Sequence, residues 1–142
     1  STAVMAAAQE RGKMAVAYHS DMRKIGPDAQ IIAVTHQWGD YYTARVKAAL
    51  AGQWKSGSVW GGVKDGMIRV DHFGPKVPQR VRDEVLARQK DIASGKLQPF
   101  RATAAVRDNE GREVIAQGST LSDEQILNMN WLVEGVVSRL PR

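Results

Sequence analysis

Cysteine is missing altogether from this 142-residue chain. That excludes disulfides and thiolate metal sites, and it fits a cytosolic and a bacterial extracytoplasmic protein equally. No apolar run approaches the roughly 20 residues that span a bilayer as a helix, and no signal peptide opens the sequence. The chain begins at Ser1 in what reads as the first turn of a helix, so an upstream segment is expected. Histidine occurs only at His19, His36 and His72, without the spacing of a metal site, and neither metal nor cofactor is expected. No glycine-rich loop opens a phosphate-holding helix, because Trp60-Gly61-Gly62 runs into a predicted strand. No serine sits in a nucleophile elbow. Asp21 and Asp40 invite reading as a carboxylate pair, yet aspartates beside loops and helix starts are usually caps. Only His19, His36 and Asp21 stand as acid or base candidates. The chain is therefore not expected to be an enzyme.

A block of one charge is also lacking. The formal charge is +5, but its carriers (Arg11, Lys24, Arg45, Lys64, Arg80, Arg101, Arg139) are spread along the chain and interleaved with acids. No basic-aromatic stripe of the kind nucleic-acid binders use is visible. The excess reads as solvated surface, and no nucleic-acid partner is expected. A small basic α/β interaction module that meets nucleic acid or another acidic partner is the alternative. With 43% hydrophobic and 25% charged residues, the composition is that of an ordinary globular chain.

What is present is organised around residues 30–50. Ile31 to Val34 is a short β-branched run, read as a buried strand. Tyr42, Val46, Ala49 and Leu50 lie at helical spacing as the apolar face of a following helix, with Gly52 as its stop. Between them His36-Gln37-Trp38-Gly39-Asp40 reads as a polar and aromatic loop at the carboxyl end of a strand, where open α/β sheets bind ligands. Trp38 reads as a cleft wall for a flat, partly polar molecule. Upstream, Ser1 or Thr2 caps an alanine-rich helix to Arg11 with Val4, Met5 and Ala8 on its apolar face, and Gly12 ends it. Met14 to Tyr18 is a strand, and His19-Ser20-Asp21-Met22 is the loop leaving its carboxyl end. Gly26-Pro27-Asp28 then turns into the strand at Ile31. This order is that of a parallel sheet with crossovers, so the loops at 19–22 and 36–40 should share one edge.

Downstream, residues 53–62 hold too much glycine and serine for a regular element. Val63 to Val70 is a strand broken at Asp65-Gly66. Pro78 opens a helix to about Ser94, with Val81, Val85 and Ile92 on one face and Arg82, Asp83, Arg88 and Lys90 in solvent. Thr103 to Ile115 is a hairpin about Asp108-Asn109-Glu110-Gly111. Ser122 and Gln125 form a capping box, with Leu121 and Ile126 as its hydrophobic staple. The helix they start is expected to carry Ile126 through Val133 to Gly135. Trp54, Trp60 and Trp131 read as packing residues. Of Tyr41 and Tyr42, one should face the core and the other the cleft.

Taken in order, several pieces carry a resemblance. They are Thr35-His36-Gln37-Trp38-Gly39-Asp40-Tyr41-Tyr42 with Arg45-Val46, Gly52-Gln53-Trp54-Lys55-Ser56, Trp60-Gly61-Gly62 and Asp65-Gly66-Met67. They end with Leu121-Ser122-Asp123-Glu124 and Met129-Asn130-Trp131-Leu132-Val133-Glu134-Gly135-Val136-Val137. The set resembles the carboxyl-terminal part of the basic membrane protein family, substrate-binding proteins of ABC importers related to the purine nucleoside receptor lipoproteins. The match runs in order from Ser1 to Pro141.

The resemblance implies an α/β chain that is the parallel-sheet segment of a type I periplasmic binding protein fold, its amino-terminal portion missing. Residues 1–142 would contribute to both lobes of a two-lobed protein that closes on a purine and then docks on an ABC permease. It also implies a periplasmic or cell-surface lipoprotein, its signal upstream of Ser1. Trp38, His19, Asp21, His36 and Ser1 are the ligand-binding candidates. Nucleoside-binding members usually place an Asp where His19 stands and a Lys near Gly39, and these two groups hold the ribose. Here a His and a Gly replace them beside Trp38, so a free base such as adenine is expected over its nucleoside.

Overall fold

The structure, a computed structural model, describes residues 1–140. The chain divides into two compact units, Ser1–Leu97 and a second that begins at Gln98. The first contains α1 (Thr2–Glu10), β1 (Ala15–His19), β2 (Gln30–His36), α2 (Trp38–Leu50), β3 (Ile68–Asp71) and α3 (Gln79–Ala93). Its sheet has the order β1-β2-β3. β1 and β2 are parallel, as the order of elements predicts. β3 closes the other edge antiparallel to β2, with Val34 opposite Val70, and is shorter than the strand expected from Val63.

Small side chains let the first layers approach. Ala17, Ala29 and Ala33 are buried with Met5 and Met22 in one cluster. Met5 comes from α1, which starts where the Ser1 hydroxyl accepts the Ala3 N–H at 3.3 Å, an N-cap. It ends at Gly12, whose φ of +59° suits a residue without Cβ. The Gln9 side chain then accepts the Asp28 and Ala29 N–H groups, both at 3.0 Å, pinning α1 to the entry of β2. Val4, expected on the inner face, is exposed.

Four further expectations are corrected. The helix after β2 starts at Trp38 rather than at Asp40, so residues 38–40 are its first turn and not loop. Its stripe of Trp38, Tyr42, Val46 and Leu50, spaced four apart, is exposed throughout, because no element of the first unit packs against it. Trp54 and Trp60 are likewise exposed at 55% and 59% and are not core. Arg82 on α3 does not look to solvent: its guanidinium donates to the Val77 and Gly74 carbonyls at 2.9 and 2.7 Å and lies over the Phe73 ring at 5.6 Å.

In the second unit β4 (Val106–Arg107) and β5 (Glu113–Ile115) form the expected hairpin. α4 (Asp123–Leu127) follows with both hydrogen bonds of the capping box. It stops at Asn128 rather than running to Gly135. The Asn128 side chain donates back to the Glu124 carbonyl at 2.9 Å, a local bond of the sort that competes with helix. Beyond it the chain turns to the hairpin instead, Val133 bridging Asp108 and the Leu132 carbonyl accepting the Asn109 N–H at 2.8 Å.

Asp108 holds this unit's turn. Buried, it accepts the Glu110 and Arg112 N–H groups and the Arg112 guanidinium at 2.8 to 2.9 Å. Burial alone would raise its pKa, but the Arg112 and Glu110 donors overrule it and hold the carboxyl below its ordinary value. A carboxylate so depressed stabilises the fold above the ordinary range, and that contribution is lost as pH falls through its lowered native value. Protection factors of residues 106–115, corrected for the intrinsic pH dependence of amide exchange, should therefore fall on acidification from about pH 7 to about pH 3, with a smaller change in Asp108→Asn. Equal pH dependence in the two proteins would remove Asp108 from this role.

Candidate functional site

β1 and β2 are in register with His19 opposite Thr35, so the carboxyl ends of two parallel strands meet at one edge. His19 ends β1, His36 ends β2, and a single residue, Gln37, separates β2 from Trp38. Rings gather there in series. Tyr18 and His19 have centroids 3.7 Å apart, His19 stacks on His36 at 4.6 Å, and His36 on Trp38 at 5.4 Å with planes 16° apart. Trp38 stacks on Tyr42 at 5.8 Å and meets Tyr41 edge-on. Arg45 caps the series with its guanidinium 5.3 Å from the Tyr41 centroid. The two histidines also share a hydrogen bond, Nδ1 of His19 to Nε2 of His36, at 2.7 Å.

Local backbone shapes explain this gathering. Adjacent strand residues normally point to opposite faces, which would part Tyr18 from His19. His19 has a φ of +74°, a region that residues with a Cβ seldom adopt. That twist breaks the alternation and brings both rings to one side. Past Gln37, the helical turn stacks Tyr41 and Tyr42 above Trp38, as spacings of three and four require. No pair in the series is far enough apart to admit a third ring, which needs about 7 Å between its neighbours, twice the ~3.5 Å contact distance. A planar guest must lie on ring surface that the series leaves open, including the part of the Trp38 indole that His36 and Tyr42 do not cover. Trp38 is 42% exposed and Tyr18 61%.

A polar web runs along β2, from its first residue towards the end that carries the rings. Buried Gln30 accepts the Met22 N–H at 2.7 Å and donates to Asp21 at 3.0 Å and to the His72 carbonyl at 2.8 Å. Asp21 takes a forked Arg23 guanidinium at 2.7 to 3.0 Å together with the Arg23 N–H. Those Arg23 bonds come first among the causes that hold the Asp21 carboxyl well below the usual carboxylate range. His72, also at positive φ, lies between Arg23 (3.1 Å) and the Asp21 and Asp71 carboxylates (3.6 and 3.3 Å). Asp71 accepts from Thr35 at 3.3 Å, and Gln37 donates to Thr35 at 3.0 Å.

Of the residues singled out in the sequence, His19, His36 and Trp38 are brought together. Asp21, two residues past His19, lies in the web with both oxygens engaged. Ser1 caps α1 and, among the described residues, is joined to the ring series by no hydrogen bond, ion pair or ring contact. Tyr41 is half-buried and Tyr42 exposed, so neither enters the core as one of the pair was expected to. Sequence reasoning missed Tyr18, Gln30, Arg23 and His72. Tyr18 was discoverable as the neighbour of His19 and Arg23 as a neighbour of Asp21; Gln30 had no local signal, since its partners lie 8 to 42 positions away, nor had the tie of His72 to Arg23, 49 positions apart. Among the described residues no group of three or more potential ligands could hold a metal, and no helix is long and apolar enough to cross a membrane.

The carboxyl edge of parallel strands, where this pair gathers its aromatic and polar groups, is where open α/β sheets bind ligands. Residues 1–101 match the model of a family described as ABC transporter substrate-binding protein, PnrA-like. The chain belongs to that family, whose members are substrate-binding proteins rather than enzymes, in agreement with the missing catalytic motifs. Over all 142 residues it is 38% identical to a purine-binding protein of Brucella abortus, of which it covers 40%. Over 141 residues it is 27% identical to a putative ABC transporter glucose-binding protein of Haloferax volcanii, of which it covers 33%. The chain thus spans well under half the length of these relatives. A solved structure, a transcriptional activator of the comK gene from Bacillus halodurans, superposes with a TM-score of 0.60 at 21% identity. That match covers 69% of this chain and 35% of the other. It bears on the fold alone.

Proposed function

We propose that this chain forms part of an extracytoplasmic solute-binding protein of an ABC importer and contributes the ring series at its sheet edge to a purine site. The observation that carries the reading is the exposed Trp38 indole stacked on His36, with hydrogen-bonding nitrogens beside it. A flat heteroaromatic base gains most from such a face, about 1–3 kcal/mol per stacked ring. Imidazole nitrogens can meet the base's polar edge. The purine-binding relative at 38% identity supports the same chemical class.

A free base is favoured over a nucleoside. Vicinal ribose hydroxyls are gripped by a carboxylate with free lone pairs, and the carboxylate of the β1 loop, Asp21, is already engaged by Arg23 and Gln30. In the longer protein, residues 1–142 contribute to both lobes, the remaining amino-terminal portion completes the cleft, and hinge closure over the base presents a joined surface to the permease. A lipid anchor upstream of Ser1 belongs to the same reading. The two compact units suit a chain shared between lobes.

Titration calorimetry of the full-length protein with adenine, adenosine and glucose tests it. Adenine should bind tightest, and its affinity should change less than about threefold between 50 and 200 mM salt. A nucleic-acid contact with several phosphates would lose orders of magnitude over that range. Tighter adenosine binding would defeat the base preference. Glucose binding without purine binding would move the site to the class named for the Haloferax relative, since pyranose faces also lie on indoles.

A further inference from the structure

We propose that His19 and His36 act as one unit that reads the polarity of the ligand edge, so that the site accepts both 6-amino and 6-oxo purines. The inference rests on the purine reading above. Its starting point is the 2.7 Å contact between His19 Nδ1 and His36 Nε2. A hydrogen bond between two imidazole nitrogens needs one N–H and one lone pair, and a neutral imidazole carries one of each. Fixing the shared proton therefore fixes all four nitrogens.

If His19 Nδ1 donates, its Nε2 is an acceptor, and His36, accepting at Nε2, holds its proton at Nδ1. If His36 Nε2 donates, both outer nitrogens reverse. His19 Nε2 and His36 Nδ1 make no hydrogen bond to any other described residue, so both are available. In the neutral pair one of them is always a donor and the other an acceptor. Moving the proton across the contact, with compensating tautomer changes, exchanges their roles without moving a heavy atom. A purine differs at its 6-position in the same way: an amino group donates there and an oxo group accepts. The pair meets either at the same nitrogen, whereas an amide or a hydroxyl must rotate to do so. Stacking of His36 on Trp38 at 5.4 Å holds the ring in place while its tautomer changes.

His36 is thus a specificity-setting residue. Replacing it with an acceptor-only or a donor-only side chain should lock His19 in one state. Ionised glutamate has only lone pairs and lysine ammonium only N–H groups. Adenine and hypoxanthine affinities should be measured by calorimetry at pH 8.5, above the ordinary imidazole range and below the ordinary ammonium range. Full-length wild type should bind both within about tenfold. His36→Glu should shift the adenine-to-hypoxanthine ratio towards adenine, and His36→Lys towards hypoxanthine, each by at least about tenfold (a coupling of about 1.4 kcal/mol). A shift in the same direction in both variants, or in neither, overturns the paired reading while leaving purine binding intact. Binding of neither base by wild type overturns the purine reading, and this inference with it. Imidazole ¹⁵N shifts of the ligand-free protein give a second readout: the two rings should show complementary tautomer populations, and independent populations would also overturn the pairing.

Discussion

Replacing Trp38 by alanine in the full-length protein is expected to weaken adenine binding by roughly 5- to 150-fold, with stability nearly unchanged. The affinity loss follows from removing one stacking face worth about 1–3 kcal/mol. Stability is spared because the indole is 42% exposed and touches other rings, not the buried cluster around Met5. The replacement also leaves a good helix former in the first turn of α2. Trp38→Phe should recover most of the affinity, since a flat apolar face remains. Alanine and phenylalanine variants that bind adenine as wild type does would place the base elsewhere. A Trp38→Ala protein that melts far below wild type would show the indole to be structural.

The largest stability effect is expected from Gly74→Ala. A Cβ at Gly74 would fall onto the Gln30 carbonyl oxygen, with the Gln30 carbonyl carbon and Ile31 Cα close behind. These are backbone atoms, which cannot swing aside as a side chain does. Gly74 also donates its N–H to the Ile31 carbonyl at 2.8 Å and accepts from Arg82 at 2.7 Å. Moving it disturbs the start of β2, the strand that carries His36 to the site. The expected cost lies at or above the upper end for overpacking, about 3 kcal/mol. Gly57→Ala, where an added Cβ meets nothing within 4 Å, should stay within about 0.5 kcal/mol of wild type. Chemical denaturation of both variants decides the point. An unperturbed Gly74→Ala would mean the strand entry has more slack than this packing shows.

How far these features are legible in the sequence depends on the range of the forces that make them. Caps and turns act within a few residues, and so Ser1, Gly12, Gly52, Pro78 and the Ser122–Gln125 box end or start their elements where the sequence predicts. The parallel pairing of β1 and β2 was readable from the order of elements. The burial of α2 was not. A stripe at spacing of four normally marks a core face, but which surface covers it depends on other parts of the fold, and within the first unit nothing does. The last helix misled for a different reason. Its apolar residues continue past Leu127, yet Asn128 breaks the ladder, and pairing with Asp108 and Asn109 competes with helix.

The site shows the same division. Trp38, His36 and His19 could be grouped from the sequence because each is an aromatic or titratable residue at a strand end. The ties of Asp21 were not legible. Its tie to Gln30 depends on a buried amide nine positions away, and that distance carries no pattern. Nor does sequence disclose that His19 adopts a positive φ, which aligns Tyr18, His19 and His36 on one side.

The most direct test is a crystal structure of the full-length protein with adenine bound. The base should lie within stacking distance of the Trp38 ring, one of its polar edge atoms within hydrogen-bond reach of His19 or His36, and Asp21 still clasped by Arg23. Adenine bound away from this sheet edge, with the ring series unchanged, would contradict the account.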